Sequence, residues 1–360
     1  MTTLAPTVPS SAGRTPGSRF RISRGRRTLV TGLTAFITFL FLFPMLQLAM
    51  TSIKDPDQVA AVGAPLWPAR PKQVEVDGKS RSIYSVPMPD GTVAELALVK
   101  PGRNESTFAV PSDVTKRITW KGSWRTLTPV WEISFTFGNY ADVWRLIDFP
   151  QLLFNTIAIA LVGTIGTVAS CSIVAFAFAR MRFPGRNAMF QLMIATIFIP
   201  GTVTLIPTYM LFLGMGWVGT WLPLIVPTFV ANAFDVFLIR QYFLTIPREH
   251  DEAAQIDGAN PWQTFWHVIL PQSRAVIIAV SIFHFVYSWN DYFGPLIYLA
   301  TKPELQTLGV GLARFSSRVT ARVGYVEAAT VMTLLIPVVL FIVFQRYFVR
   351  GVVVTTGIDK

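Results

Sequence analysis

The sequence predicts an all-α polytopic membrane protein with six transmembrane helices and a small β-rich insert between the first and second. Three observations predict it. Only 14% of the 360 residues are charged, against about 25% in a soluble domain, and the mean hydropathy is +0.47. The missing charge is concentrated: Phe149 to Ala179 and Asn187 to Phe234 hold no charged residue, and about 20 apolar residues cross a bilayer. Residues 53–148 differ from everything after them, with charges of both signs, frequent proline and short alternating segments.

Residues 1–27 are rich in Ser, Thr, Pro, Gly and Arg and read as a disordered basic tail. Arg14, Arg19, Arg21, Arg24, Arg26 and Arg27 precede the first apolar run, and no acid occurs before Asp55. That asymmetry marks a cytoplasmic tail. The net charge of +11 is therefore a topology signal rather than a nucleic-acid footprint. The first span covers 28–52. It exceeds the roughly 7–15 residues of a signal-peptide apolar region and shows no clear cleavage site.

Residues 53–148 follow it as an extracytoplasmic loop, with a β-rich module at about 66–132. Asp77-Gly78 and Asp90-Gly91 separate alternating runs such as Gln73–Val76 and Thr92–Val99, which is a hairpin signal. Gly78-Lys79-Ser80 resembles the end of a phosphate-binding loop, but Gln73 stands where the first glycine belongs. Asn104-Glu105-Ser106 is a glycosylation sequon by pattern only.

The second span is expected at about 152–179, followed by Arg180, Arg182 and Arg186 in a cytoplasmic loop. The third and fourth are expected at about 188–213 and 218–239, with Arg240 marking the return inside. The fifth runs over about 275–300 and the sixth over 326–348. Residues 149–350 thus form the core, 351–360 a cytoplasmic tail, and both termini face the cytoplasm. One loop runs against this rule: Lys302, Arg314, Arg318 and Arg322 follow the fifth span on the expected outer side.

The stretch 245–271 interrupts the apolar half. Pro247 suits a first helical turn, and Glu249, Asp251 and Glu252 suit its dipole. The helix ends near Asp257, with Gly258 free to adopt the left-handed cap. Asn260 then caps a second helix beginning at Pro261 and expected to stop at Pro271. Trp262, Phe265, Trp266 and Ile269 fall at i, i+3, i+4 and i+7, one continuous apolar face. Physics alone leaves two readings open: a linker in the lipid interface and a docking knob for a cytoplasmic partner.

Chemistry is sparse elsewhere. One cysteine, Cys171, sits in an apolar run and reads as an inert buried side chain. His250, His267 and His284 match no metal-ligand spacing. Asn155, Asn232, Asp235, Asn290 and Asp291 are polar groups within expected spans, which are functional candidates by default. Asp291, just before Gly294-Pro295, also fits a structural helix break. Tyr287, Trp289 and Asn290 add aromatic faces and hydrogen-bonding groups beside it.

Glu252-Ala253-Ala254, three residues, Gly258, nine residues, Val268, then Leu270-Pro271 resemble the EAA loop of ABC importer permeases, with Val268 where isoleucine is usual. Ser288 to Leu296 (SWNDYFGPL), Phe344 to Gly351, and Asn139-Tyr140 with Asn155-Thr156 are similar to the MalG-like sugar permeases. The resemblance covers about 135–355 and the first span, not the insert, and some α-glucoside permeases have similarly enlarged loops. It implies the type I ABC importer permease fold in a bacterial inner membrane. It also implies half of a translocation pore, paired with a second, MalF-like permease, a cytoplasmic ATPase dimer and an extracytoplasmic solute-binding protein. Coupling to the ATPase would run through Glu252, Ala253, Ala254, Gly258, Leu270 and Pro271. The chain lacks a G-x4-GK[ST] loop, so it is read as a transport subunit without a cofactor, ATP being hydrolysed by partners. The substrate expected is a di- or oligosaccharide. The alternatives are a non-sugar solute such as glycerol 3-phosphate, and an ATPase-independent secondary transporter.

Overall fold

The computed structural model describes residues 24–356 except 56, 57, 60, 62 and 319–322. Most of the expected N-terminal tail, Arg322 and the last four residues lie outside them. The chain divides into two units, residues 1–48 and 49–360.

The first unit is built on helix α1, Arg24–Ser52, up to Leu48. Large apolar side chains from Leu29 to Leu46 are exposed along it, as lipid contact requires. The helix includes residues 24–27, which the sequence reading assigned to the basic tail. Hydropathy marks the part of a helix that meets hydrocarbon, and arginine is a good helix former beyond it.

In the second unit, the insert is a β-module of eight strands. They are β1 (Ala69–Pro71), β2 (Gln73–Val76), β3 (Lys79–Pro87), β4 (Val93–Lys100), β5 (Glu105–Val110), β6 (Asp113–Lys121), β7 (Thr128–Pro129) and β8 (Trp131–Ile133). The main sheet runs β2-β3-β4-β5-β6 as an antiparallel meander, with β7 also on β3, and β1 pairs with β8. Asp77 and Gly78 have φ of 54° and 71°, the two left-handed positions of a type I′ hairpin turn. At the next hairpin the Thr92 N–H and hydroxyl both donate to Asp90 Oδ1, at 3.0 and 2.6 Å, holding that carboxyl below its usual range. Both Asp-Gly turns therefore form where the alternation places them. Val76, Ile83, Ala97 and Ala109 bury one small core, and Val86, Leu96 and Phe108 another.

The helices after the insert are α2 (Gly138–Leu146), α3 (Phe149–Arg180), α4 (Arg186–Ala195), α5 (Gly201–Gly214), α6 (Leu222–Ile225) and α7 (Ala233–Thr245). They continue as α8 (Glu249–Ile256), α9 (Pro261–Thr264), α10 (Leu270–Gln272), α11 (Arg274–Asn290), α12 (Phe293–Tyr298), α13 (Leu308–Arg318) and α14 (Val323–Thr356). Among the described residues four helical stretches are long and apolar enough to cross a membrane: Gly25–Ser52, Phe149–Arg180, Leu222–Thr245 and Val323–Gln345. Two bent pairs, Arg186–Phe198 with Gly201–Gly214 and Pro261–Gln272 with Arg274–Asn290, raise this to six if each is one span.

Three expectations need correction. The third span is not one helix over 188–213 but two, bent by 99°. Pro200 has no N–H, and it drives Ile199 into an extended conformation (φ −79°, ψ 114°). The fourth span runs to Thr245 rather than 239, and it is broken at Val230 to Asn232. The fifth breaks after Asn290, before α12, at the helix break read for Asp291. The last helix continues through Gly351 to Thr356, into the expected C-terminal tail.

Helix α3 is the hub. Its Cys171, Ala175, Phe176, Phe178 and Ala179 pack with Val236, Ile239 and Phe243 of α7 and Val276 and Val280 of α11. Close approach is set by Gly166, where a Cβ would stand 2.6 Å from Thr228 Oγ1 and 2.7 Å from the Phe229 ring.

The two ends of this bundle are chemically distinct. At one end Asn139 Nδ2 donates to the Ser52 and Lys54 carbonyls (2.8 and 3.1 Å). Asn155 Nδ2 donates to the Glu304 and Gln306 carbonyls (2.8 Å each), and the Leu308 N–H donates to Thr156 Oγ1. At the other end sit arginines: Arg180 Nη2 donates to the Ile246 carbonyl (2.8 Å), and Arg240 stacks 4.1 Å over Phe190.

Candidate functional site

The stretch 245–273 folds into two capped helical pieces at the arginine end. Helix α8 closes in a Schellman motif: the Ala259 N–H reaches the Ala254 carbonyl (2.9 Å) and the Gly258 N–H the Gln255 carbonyl (3.0 Å). Gly258 has φ of +81°, the left-handed conformation its position calls for. Nothing lies within 4 Å of where a Cβ would be, so glycine is there for its backbone, not for space. Asn260 then forms a full capping box with Gln263: its Oδ1 accepts from the Gln263 N–H (2.9 Å), and Gln263 Oε1 accepts from the Asn260 N–H (2.8 Å). The Asn260-x-x-Gln263 spacing carries that signal in the sequence, although only its asparagine half enters the sequence reading.

The second piece does not stop at Pro271. It passes through a π-turn, Phe265–Ile269, and continues to Gln272 before an 80° bend into α11. A proline ring clashes with the carbonyl four residues back in a regular α-helix; the wider π-turn preceding Pro271 relieves that clash. Ser273, fully buried, closes the turn by donating to the Ile269 carbonyl (2.7 Å).

The expected single apolar face is two ridges with different fates. Phe265 and Ile269 are buried, 1% and 0% exposed, in the core with Phe176, whose ring centroid is 5.2 Å from that of Phe265. Trp262 and Trp266 are 53% and 47% exposed, and Ile256 on α8 is 87% exposed. Of the motif residues, Ala254 is buried, Glu252, Ala253, Gly258 and Pro271 are exposed, and Leu270 is half-buried. Sequence reasoning assigned Arg180 only to topology. Its side chain, 6% exposed, pairs at 3.2 Å with Asp251 on α8, 14% exposed. The ion pair locks α8 onto the end of the hub helix.

The sequence comparison decides the family. The description "binding-protein-dependent transport system inner membrane component" matches residues 164–354. The chain belongs to this family. Similar members include the sn-glycerol-3-phosphate transport system permease protein UgpE of Agrobacterium fabrum, 35% identical over 211 residues (58% of this chain, 74% of the relative). The counterpart from Yersinia enterocolitica is 32% identical over 232 residues (64% and 79%). Among solved structures, a bacterial ABC transporter involved in import of the acidic polysaccharide alginate superposes with a TM-score of 0.65. It is 19% identical and the match covers 91% of this chain and 99% of the other. The fold is thus that of an ABC importer permease, and the chain is a permease subunit of a binding-protein-dependent importer.

Within this permease the in-span candidates separate. Asn155 is fully buried and spends its amide on the 304–306 backbone, with Gln151 donating to its Oδ1 at 2.9 Å. Trp289 is buried and stacks on Phe285 (5.9 Å). Asn290 donates back to the Val286 carbonyl (2.8 Å). Asp291 sits at the break of the fifth span and accepts from the Gly294 N–H (3.1 Å), so it caps α12. Asn290 is exposed, and so is Tyr287, at 75%. Tyr287 faces a cavity shared with Asn232, Asp235 and His284, a grouping that sequence separation hides. Among the described residues no cluster of His, Cys, Asp and Glu could hold a metal ion.

Proposed function

We propose that this chain forms half of the translocation pore of a carbohydrate importer and is driven through residues 245–271 by a cytoplasmic ATPase dimer. The observation that carries the reading is the knob itself: rigidly capped, rooted by Phe265 and Ile269, and presenting Ile256, Trp262 and Trp266 outward without a partner. Large exposed apolar groups on an otherwise polar projection mark a protein-binding surface. The resemblance of Glu252, Ala253, Ala254, Gly258, Leu270 and Pro271 to the EAA loop supplies the ATPase as that protein. ATP is hydrolysed there, and this chain transmits the closure to its spans. A MalF-like permease completes the pore, and an extracytoplasmic solute-binding protein delivers the substrate.

The arginines at the knob end support an orientation with both termini in the cytoplasm. Tethers at Asn139 and Asn155 lie at the opposite end, as does the attachment of the β-module, which belongs near the docking site of the binding protein. The substrate proposed is a di- or oligosaccharide. A second reading, glycerol 3-phosphate, is favoured by the names of the permease relatives.

The test is copurification from native membranes. An ATPase chain is expected with the wild-type protein and is expected to be lost with Trp262→Ala/Trp266→Ala while membrane insertion persists. Retention of the ATPase by that variant, or transport persisting without ATP, would overturn the coupling reading.

A further inference from the structure

The cavity at Tyr287 has a volume of about 490 Å³ and lies between α3, the broken fourth span and α11. Small-molecule sites fall at about 300–1,000 Å³ and combine apolar walls with a few convergent polar groups. Here the polar groups are Thr167, Thr228, Asn232, Asp235, His284 and Tyr287.

The backbone points to the cavity first. Residues 230 and 232 are extended (φ −104°, ψ 116° and φ −93°, ψ 150°), in the middle of an apolar span. Non-helical backbone at membrane depth persists only where protein buries it or where it lines a cavity. Asn232 caps the resumed helix by accepting from the Asp235 N–H (2.9 Å), and its Nδ2 donates to Asp235 Oδ2 (2.7 Å). That fixes the Asp235 carboxyl against the cavity. Across from it, His284 Nδ1 is buried and has no hydrogen-bond partner.

The lining also states what the ligand is not. It contains no lysine and no arginine, the usual phosphate partners. The helix N-terminus at Ala233, another potential anion site, has its Asp235 N–H occupied by Asn232 and carries the Asp235 carboxyl in its first turn. Phe234, Phe283 and Tyr287 instead present exposed aromatic rings, which suit the apolar face of a pyranose while hydroxyls meet the amide, imidazole and carboxyl groups.

We propose that this cavity is a binding site for a neutral polyhydroxylated ligand, a sugar, and that Asp235 excludes phosphorylated ones. The proposal rests on the importer reading above and chooses between its two substrates.

The experiment uses the complete transporter with its partner subunits in proteoliposomes. Uptake is measured with maltose, trehalose, sucrose and maltotriose, each with and without excess sn-glycerol 3-phosphate. The wild type is expected to take up at least one neutral sugar without inhibition by glycerol 3-phosphate. Tyr287→Ala and His284→Ala are expected to raise its KM about tenfold, equivalent to about 1.4 kcal/mol, with maximal rate retained. Asp235→Asn, which keeps the cap, is expected to raise KM and make uptake sensitive to glycerol 3-phosphate. If none of the sugars enters, or if glycerol 3-phosphate competes in the wild type, the carbohydrate reading fails and the cavity proposal with it. If a sugar enters but its KM stays within about twofold of wild type in all three variants, the importer reading stands and the cavity is not the site. Should Asp235→Asn fail to assemble, the exposed Tyr287 supplies the same decision.

Discussion

The knob at 245–273 and the cavity between the fourth and fifth spans are both polar interruptions of an apolar chain, yet their partners are missing in opposite senses. In the knob the backbone devices are satisfied: the Schellman carbonyls and the Asn260–Gln263 box close on themselves, and Arg180 Nε meets Asp251 Oδ2 at 3.2 Å while Asp251 Oδ1 has no hydrogen-bond partner. What is left open there is apolar, namely Ile256, Trp262 and Trp266. In the cavity the apolar walls are provided, and the polar side chains of Thr167, Asn232, Asp235 and His284 converge on the space between them. Orphaned apolar surface recruits a macromolecule, because its recovery scales with area. Polar groups converging on an apolar cavity recruit a small directional ligand, because they fix its orientation. The first region should therefore set whether the transporter works, and the second what it carries.

The largest break in this comparison comes from Arg180→Ala. It strands Asp251 without a counter-charge where both side chains are nearly buried, at an expected cost of about 3–5 kcal/mol. A lower melting temperature of the purified complex, and loss of uptake for every substrate alike, are the expected results. Arg180→Ala with Asp251→Ala should recover most of the melting temperature, since it removes the stranded charge. A change of substrate preference in either variant would mean that the knob and the cavity are not separable.

The next effect is smaller and sharper. Gly258→Val places a β-branched residue at φ +81°, a genuine outlier for such a side chain, costing about 1–2 kcal/mol locally. The empty space around the position means that no packing is disturbed. Insertion and assembly should persist while ATP hydrolysis no longer drives uptake. Unchanged uptake per ATP would show that the bend at Gly258 carries no mechanical load.

These two residues also show what a sequence discloses. Gly258 was legible because its constraint is local: a charged helix before it, an asparagine cap after it, and one backbone conformation joining them. The hairpins at Asp77-Gly78 and Asp90-Gly91 were legible for the same reason, and the spans because hydropathy is additive along the chain. The Arg180–Asp251 pair was not, because the residues are remote in sequence and each has a sufficient local explanation, one as topology marker and one as helix-dipole partner. Trp262 and Phe265 illustrate a subtler loss. Periodicity put both on one face, but packing against Phe176 buries one ridge only. The π-turn, which adds a residue to one turn, is invisible to a 3.6-residue template. Asn155 and Trp289, read as pore or structural candidates, hold the 304–306 backbone and stack on Phe285 respectively, contacts with residues that the sequence does not place beside Asn155.

The smallest effect tests whether the caps matter beyond the bend they flank. Asn260→Ala removes both halves of the capping box, since Gln263 then has no partner side chain and its N–H loses an acceptor. The expected cost is about 1 kcal/mol, confined to Pro261–Thr264. Phe265 and Ile269 still root the helix in the core, so the complex should melt within a few degrees of wild type. The exposed ridge, by contrast, loses its fixed aim, because α9 is only one turn long and its start is set by that box. ATPase affinity is therefore expected to fall several-fold at unchanged sugar KM, a shift of about 1 kcal/mol. If ATPase affinity is unchanged, the buried root alone orients Trp262 and Trp266, and the knob is held from beneath rather than from its tip.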